Sequence, residues 1–475
     1  MVRMNKKDIC FIPAWEIGEK IKTQELSSLE ITEMIIERIE KINPIINAYC
    51  TTTFNLAREL AKKADEAVKK GEKLGLLHGI PTSIKDLMYT KGIRTTWGSK
   101  IYENFVPEDD EIAVKRLKDA GCVILGKTNT PEFGYAGVTH NRVFGETKNP
   151  WKLDRTSGGS SGGAGAAVVC GMSPLALGSD GGGSIRHPAA LCGVYGLKSN
   201  LGRVPIYPSL GLHGTGYVSY GPLTNYVKDA ALMLDAIKGP HDSDRFSLPQ
   251  QNLNYIDFID EKPDNLKIGY SLDLGYAKVI DTEVEKSVID SVHKFENFGW
   301  SVEKLKMKMR KPEMSFYTLY TSDFYYDLKP KFKEWRDEID TELVRMAEGS
   351  IGYSANEVMR ALDQREKIYG IISQIFQTYD ILITPTTAIP AFGLGMMFPP
   401  KINEKNVSPT GWQAFSFPFN LTGHPAASIP CGRSSEGLPI GMQIVGNRFE
   451  ELKILQVSKA FEEIAPWQDI RPKFD

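Results

Sequence analysis

Residues Gly178–Pro188 read GSDGGGSIRHP, three glycines running straight into a serine with an arginine two places on. Such a run reads as a loop that cradles a phosphate, as a flexible turn, or as the seat of a reactive hydroxyl. Its surroundings narrow the choice. Eleven glycines fall between Gly158 and Gly193, and glycine is needed where backbone takes positive φ or comes close to a ligand. Two such clusters, each ending beside a serine, exceed what packing asks for. Consecutive glycines let several backbone N–H groups converge on one point, which stabilises the oxyanion that forms when a hydroxyl attacks a carbonyl. Ser184, at the end of its own oxyanion loop, is placed to be that hydroxyl. A turn with an incidental serine leaves Asp180 and Arg186 unexplained. As an ion pair or hydrogen-bonded brace they hold the loop without reacting.

Two neighbouring motifs point elsewhere. Gly121–Thr128, GCVILGKT, matches the nucleotide-binding pattern GxxxxGK[ST] letter for letter. A phosphate-cradling loop follows a strand and turns its N–H groups inward. Here the four central residues are themselves the strand and the run before Gly121 is helical, so the match is a decoy. Gly158–Gly162, GGSSG, matches the GxSxG nucleophile elbow, which needs a strand directly before it. What precedes, Asn149–Ser157, reads as a polar loop. A histidine base is required as well, and none of His78, His140, His187, His213, His241, His293 and His424 sits in a distinctive setting.

Gly79–Asp86, GIPTSIKD, offers a different base. Ile84 and Leu87 around Lys85 suggest an ammonium carried into a poorly hydrated site. Desolvation lowers a lysine pKa, and the neutral amine accepts a proton. Taken alone, a lysine in such a run is usually a surface or salt-bridged one; it gains weight through its company.

The bulk properties bound the rest. A chain of 475 residues allows two to three domains on length alone. Apolar residues at 41% and charged residues at 24% are ordinary globular usage. A net charge of −2 points to neither a nucleic-acid nor a membrane-surface partner. The six cysteines are scattered without a CxxC pair, which excludes a disulfide scaffold or zinc ribbon and fits a reducing compartment. The start, MVRMNKKDIC, lacks an apolar core, and the longest mostly apolar run, residues 164–177, is too short for a bilayer. A cytoplasmic protein is expected, with no metal or cofactor.

Ser27-Ser28-Leu29-Glu30 resembles a capping box, followed by Ile31, Ile35, Ile39 and Ile42 at helical spacing, with Asn43-Pro44 expected to end the helix. A second helix over 56–70 stacks Ala57, Leu60, Ala61, Ala64 and Ala67, with Gly71 as its cap. From about residue 79, short apolar runs alternate with helical segments such as 111–120 and 226–237, predicting an α/β sheet covered on both faces. Residues 240–265 read as a surface connection. Residues 311–380 look helical and aromatic-rich, either as core packing of a helical layer or as rings that wall an apolar pocket.

Together these pieces resemble the amidase signature family. The stretches that carry the likeness are Gly158–Ala167, Ala176–Pro188, Gly193–Lys198 with Gly202-Arg203, Gly126–Phe133, Asn149–Trp151, and Pro385, Gly423–Ala426, Pro430 and Gly441–Gln443. The resemblance implies one large mixed β-sheet with helices on both sides, in one compact domain over 1–475. Within it fall an N-terminal helical part (1–75), a catalytic core (76–240) and a helical layer over the pocket (311–380). It implies a Ser–Ser–Lys triad. Ser184 would be the nucleophile, Ser160 (after a cis peptide from Gly159) the proton relay, and Lys85 the general base. Gly181, Gly182, Gly183 and Ser184 would form the oxyanion hole, with Ser161, Asp180 and Arg186 in support and Gly134 and Tyr135 lining the substrate pocket. No cofactor is implied; the partner is a small amide, and association into a homo-oligomer is left open.

Ser179 stands where a threonine is common, and Ser199-Asn200 where Pro-Thr is frequent; neither is expected to touch the triad. In the tRNA-dependent amidotransferase, the acidic residue by which the glutaminase component holds glutamine would fall at Gln413, which is not acidic. The reading is therefore a stand-alone amidase for a neutral, aryl or acyl amide. The glutaminase component of the amidotransferase is the alternative, and a nucleotide-binding protein is a third class.

Overall fold

The computed structural model describes residues 9–209, 216–310 and 312–474; His213 lies outside them. Short apolar runs pair into an 11-stranded sheet. Its strands in chain order are β1 (Tyr49–Thr52), β2 (Pro81–Lys85), β3 (Val123–Thr128), β4 (Leu175–Asp180), β5 (Tyr195–Lys198), β6 (Ser219–Thr224), β7 (Lys267–Tyr270), β8 (Ser301–Lys304), β9 (Ile381–Pro385), β10 (Ala426–Arg433) and β11 (Pro439–Gly446). The spatial order is β1-β3-β2-β4-β6-β5-β10-β11-β9-β7-β8. Parallel pairs β3/β2, β2/β4, β9/β7 and β7/β8 flank an antiparallel middle, so the sheet is mixed. β2, β3, β4 and β9 are buried along their whole length, as strands covered on both faces are.

The first covering helix is α1 (Ser28–Ile46). Ser27 Oγ accepts from the Glu30 amide and Glu30 returns a carboxylate oxygen to the Ser27 amide, closing the capping box. Ile31, Ile35, Ile39 and Ile42 are buried as one stripe. The helix does not stop at Asn43-Pro44. It runs one turn further, because the Asn47 amide still reaches the Asn43 carbonyl while Asn43 Oδ1 collects the Ala48 and Tyr49 amides. α2 (Phe54–Lys70) buries Ala57, Ala61 and Ala64 and ends at Gly71 in the left-handed region.

The expected polar loop before Gly158 is instead a small hairpin, Lys148–Asn149 with Lys152–Thr156, outside the main sheet. Its second strand, Lys152-Leu153-Asp154-Arg155-Thr156, is too charged to read as sheet from composition. After it come α3 (Gly162–Val169), α4 (Arg186–Cys192) and α5 (Val227–Ile237).

The segment from 312 to 375 forms α6 (Pro312–Leu328), α7 (Thr341–Glu348) and α8 (Ala355–Ile375). Phe316, Leu319, Phe324, Ile368 and Ile372 build a second apolar cluster beneath this layer, separate from the main one around the sheet. Not every ring there is core: Tyr326 is 81% exposed. Among the described residues, no helix is long and apolar enough to cross a membrane.

Candidate active site

β2 and β4 run parallel, with Thr82, Ser83 and Ile84 opposite Leu175, Ala176 and Leu177. Lys85 and the Ser179–Ser184 stretch therefore leave the sheet at the same, C-terminal edge, where ligands gather in open α/β sheets. Lys85 is wholly buried. Its Nζ lies 2.7 Å from Ser160 Oγ and 3.0 Å from Ser179 Oγ. Burial pushes this amine well below its ordinary value, with the Asp180 charge pulling the other way. Its two partners are both hydroxyls.

Ser160 is joined to Gly159 by a cis peptide bond. Gly159 tolerates no side chain, since a Cβ would stand 2.5 Å from the Val138 carbonyl oxygen. Ser161 ties the two serine-bearing segments together: its amide donates to the Ser184 carbonyl (3.1 Å) and its hydroxyl to the Ser179 carbonyl (3.3 Å).

The glycine loop is held from below. Burial alone would raise the Asp180 carboxyl, but Arg186, bonded through Nη2 at 2.8 Å and Nε at 2.9 Å, holds it far below the usual carboxylate range. Asn420 Nδ2 adds a bond at 2.9 Å. Arg186 spends its remaining donors on the Ser416 carbonyl, Gln443 Oε1 and Asn420 Oδ1. Both charges are consumed internally, so neither faces a substrate.

The Gly183 amide, expected among the oxyanion donors, instead gives its proton to Asp180 Oδ1 at 2.8 Å. Gly183 takes φ 129°, and a Cβ there would collide with His187 Nε2 at 2.1 Å. Among the described residues the Gly182 and Ser184 amides make no bond within the chain. His187 itself is buried, pushed down to about 3 by desolvation, and bonded to Ser416 Oγ, which in turn donates to the Gly182 carbonyl. It braces the loop as a neutral ring.

Ser160, Ser179, Gly181, Gly182 and Ser184 line one cavity. The rest of its described wall is Leu87, Trp97, Phe133, Gly134, Ser209, Tyr217, Val218, Tyr220 and Tyr320, none of them charged. The polar ends of the rings turn outward into protein. Trp97 Nε1 donates to the Leu87 carbonyl, Tyr320 OH to the Tyr135 carbonyl and Tyr217 OH to Asp323. Phe316 closes on Gly182 from α6, leaving no room for a Cβ there. The cavity thus presents ring surface, hydroxyls and backbone amides.

Tyr135 is not part of the described wall. Phe133 and Gly134 both take positive φ (50° and 73°), reversing the chain so that Phe133 faces the cavity and Tyr135 is carried off to donate to Asp340 at the start of α7. Gly134 stays, close beside Ser160 Oγ. The described histidines make no bond to a serine of the cavity; His140, for instance, pairs with Asp340 and His424 with Thr422. The GxxxxGK[ST] lysine, Lys127, is buried inside β3 and bonded to the Met88 carbonyl, Thr90 and Thr95, with no loop to offer a phosphate. Ser179 belongs to the site although no motif marks it in the sequence. The signal that could find it is the strand alternation that sets it opposite to Asp180, on the side where Lys85 emerges.

Known proteins share this arrangement. The family model described as Amidase matches residues 30–455. Among curated relatives, the glutamyl-tRNA(Gln) amidotransferase A-chain protein of Carboxydothermus hydrogenoformans is 36% identical, covering 98% of this chain and all of its own length. An acylamidase of Rhodococcus erythropolis is 34% identical over 99% of this chain and 98% of that protein. Among solved structures, a bacterial aryl acylamidase of the amidase signature enzymes superposes with a TM-score of 0.91 at 30% identity, covering 97% of each chain.

Proposed function

The chain belongs to the amidase signature family, and from that premise we propose that it is a stand-alone hydrolase of small, uncharged aryl or acyl amides, working through an acyl-enzyme on Ser184. The observation that carries the reading is the buried Lys85 amine, 2.7 Å from Ser160 Oγ, touching only hydroxyls, at the edge of the cavity that Ser184 also lines.

The neutral amine of Lys85 takes the proton of the Ser160 hydroxyl as Ser160 takes that of Ser184. The Ser184 oxygen adds to the amide carbonyl. The negative oxygen of the tetrahedral intermediate meets the backbone N–H groups of Gly182 and Ser184, joined by Gly181; Gly183 is committed to Asp180. The C–N bond then breaks while the proton returns from Lys85 through Ser160 to the departing nitrogen. Water repeats the sequence on the ester, releasing the carboxylic acid and restoring Ser184. Ser161, Asp180 and Arg186 keep the two serine loops in register, and Gly134 leaves space beside Ser160.

The substrate class follows from the wall. No charged side chain among the described lining residues could clamp the ammonium and carboxylate of a free amino acid, and burying either unpaired is costly. A second reading, the glutaminase component of an amidotransferase, is favoured by the 36% identity to such a protein. One experiment separates them: the purified protein is treated with a fluorophosphonate, the adduct is mapped by mass spectrometry, and an acyl p-nitroanilide is compared with L-glutamine. The expected result is label on Ser184 and turnover of the anilide alone. Label confined to another serine refutes the nucleophile; preferential turnover of glutamine transfers the reading to the amidotransferase component.

A further inference from the structure

We infer that Ser179 is a positioning residue for Lys85: its hydroxyl, the second partner of the buried amine, directs the amine's lone pair onto Ser160. The inference rests on the reading of Lys85 as the base.

A neutral amine carries two N–H donors and one lone pair, where the ammonium carries three donors and none. For Ser160 to hand over a proton, the lone pair must face Ser160 Oγ, 2.7 Å away, and an N–H must point elsewhere. Ser179 Oγ, at 3.0 Å, is the other side-chain acceptor bonded to Nζ among the described residues. Without it the amine rotates freely about its terminal bond and the lone pair is aimed only part of the time.

The charged groups nearby are all otherwise engaged. Asp180, next along β4, faces the other side of the strand and is saturated by Arg186, Asn420 and the Gly183 amide. Asp86, next to Lys85, accepts from the Thr96 amide and hydroxyl. Lys127 on β3 donates to the Met88 carbonyl and two threonines. A carboxylate in the place of Ser179 would hold the amine protonated; a hydroxyl orients it without adding charge. Ser179 is itself fixed, its backbone paired with Tyr220 across the strands and its carbonyl taken by Ser161 Oγ.

The test compares the parent chain with Ser179→Ala and Ser179→Thr. It measures acyl p-nitroanilide turnover from pH 5 to 10, fluorophosphonate labelling of Ser184, and thermal melting. Ser179→Ala is expected to lower kcat about tenfold to a hundredfold with KM within twofold, the mark of an interaction needed in the transition state. It should also move the acid limb of the rate profile to lower pH. The ammonium uses the lost acceptor more than the amine does, so the charged form is the one weakened. Ser179→Thr, which restores the hydroxyl, should recover both within about threefold. An unmoved acid limb, a loss confined to KM, or no recovery in Ser179→Thr would overturn the inference in favour of simple packing. A parent chain that neither labels at Ser184 nor hydrolyses the anilide would overturn the reading of Lys85 itself, and this inference with it.

Discussion

Two buried lysines sit on neighbouring parallel strands, and their surroundings differ in one respect. Lys85 ends β2; Lys127 lies in β3 opposite Ile84, so the two point to opposite faces. Both are wholly buried. Lys127 donates to the Met88 carbonyl, Thr90 and Thr95, filling all three N–H positions of an ammonium. Desolvation pushes it down only to about 8, against the pull of Asp86, Cys50 and Glu111. Lys85 has two hydroxyls and only the more distant charge of Asp180 to favour its proton. Burial alone therefore does not make a base. The count of acceptors and the sign of nearby charge decide whether a buried lysine is a structural cation or a proton carrier.

That contrast is open to direct attack. The largest expected effect is on rate. Lys85→Ala should lower amide turnover by about 10²–10⁴-fold or more, the contribution of a positioned base, while leaving the melting curve close to that of the parent. Turnover within tenfold of the parent would erase the distinction. Lys127→Met should behave in the opposite way. It strands Asp86 and Glu111 without their counter-charge and should lower stability by about 2–4 kcal/mol in urea unfolding, while kcat of the protein still folded stays within about tenfold.

The smallest effect is a change of slope with pH. Burial raises the Glu111 carboxyl from 4.5 to about 8. Between those values the folded chain holds a proton that the unfolded chain releases, so this group's contribution to stability falls as pH rises through the window. Glu111→Gln, which cannot titrate, should flatten that fall in denaturant titrations at pH 5, 6, 7 and 8. An unchanged slope would show that Glu111 does not carry it.

Features are readable from sequence wherever the physics is local. The Ser27–Glu30 capping box and the Ile31–Ile42 stripe need only neighbours in sequence, and both stand in the structure. The strand nature of Val123–Thr128 is legible for the same reason, and it disarms the nucleotide motif. Pro44 misleads because its rule is local while the Asn43 side chain that extends the helix end depends on Ala48 and Tyr49 beyond it. The meeting of Lys85 with Ser160, 75 residues apart, follows from strand order and is legible only through family resemblance. Tyr135 is displaced from its expected place by a chain reversal at Phe133, a positive-φ position that no propensity flags. Residue type sets Ser179 clear of the triad, yet its hydroxyl touches Lys85.

The reacting groups and the recognition surface come from different parts of the chain. Lys85, Ser179 and Ser184 are carried at or just beyond the ends of β2 and β4, whereas Tyr320, and Phe316 behind Gly182, are contributed by α6. Substitutions along that helix can reshape what is admitted without disturbing how it is cleaved. A lineage built this way can acquire new diets by drift in its outer layer, and directed evolution of selectivity has a natural place to begin.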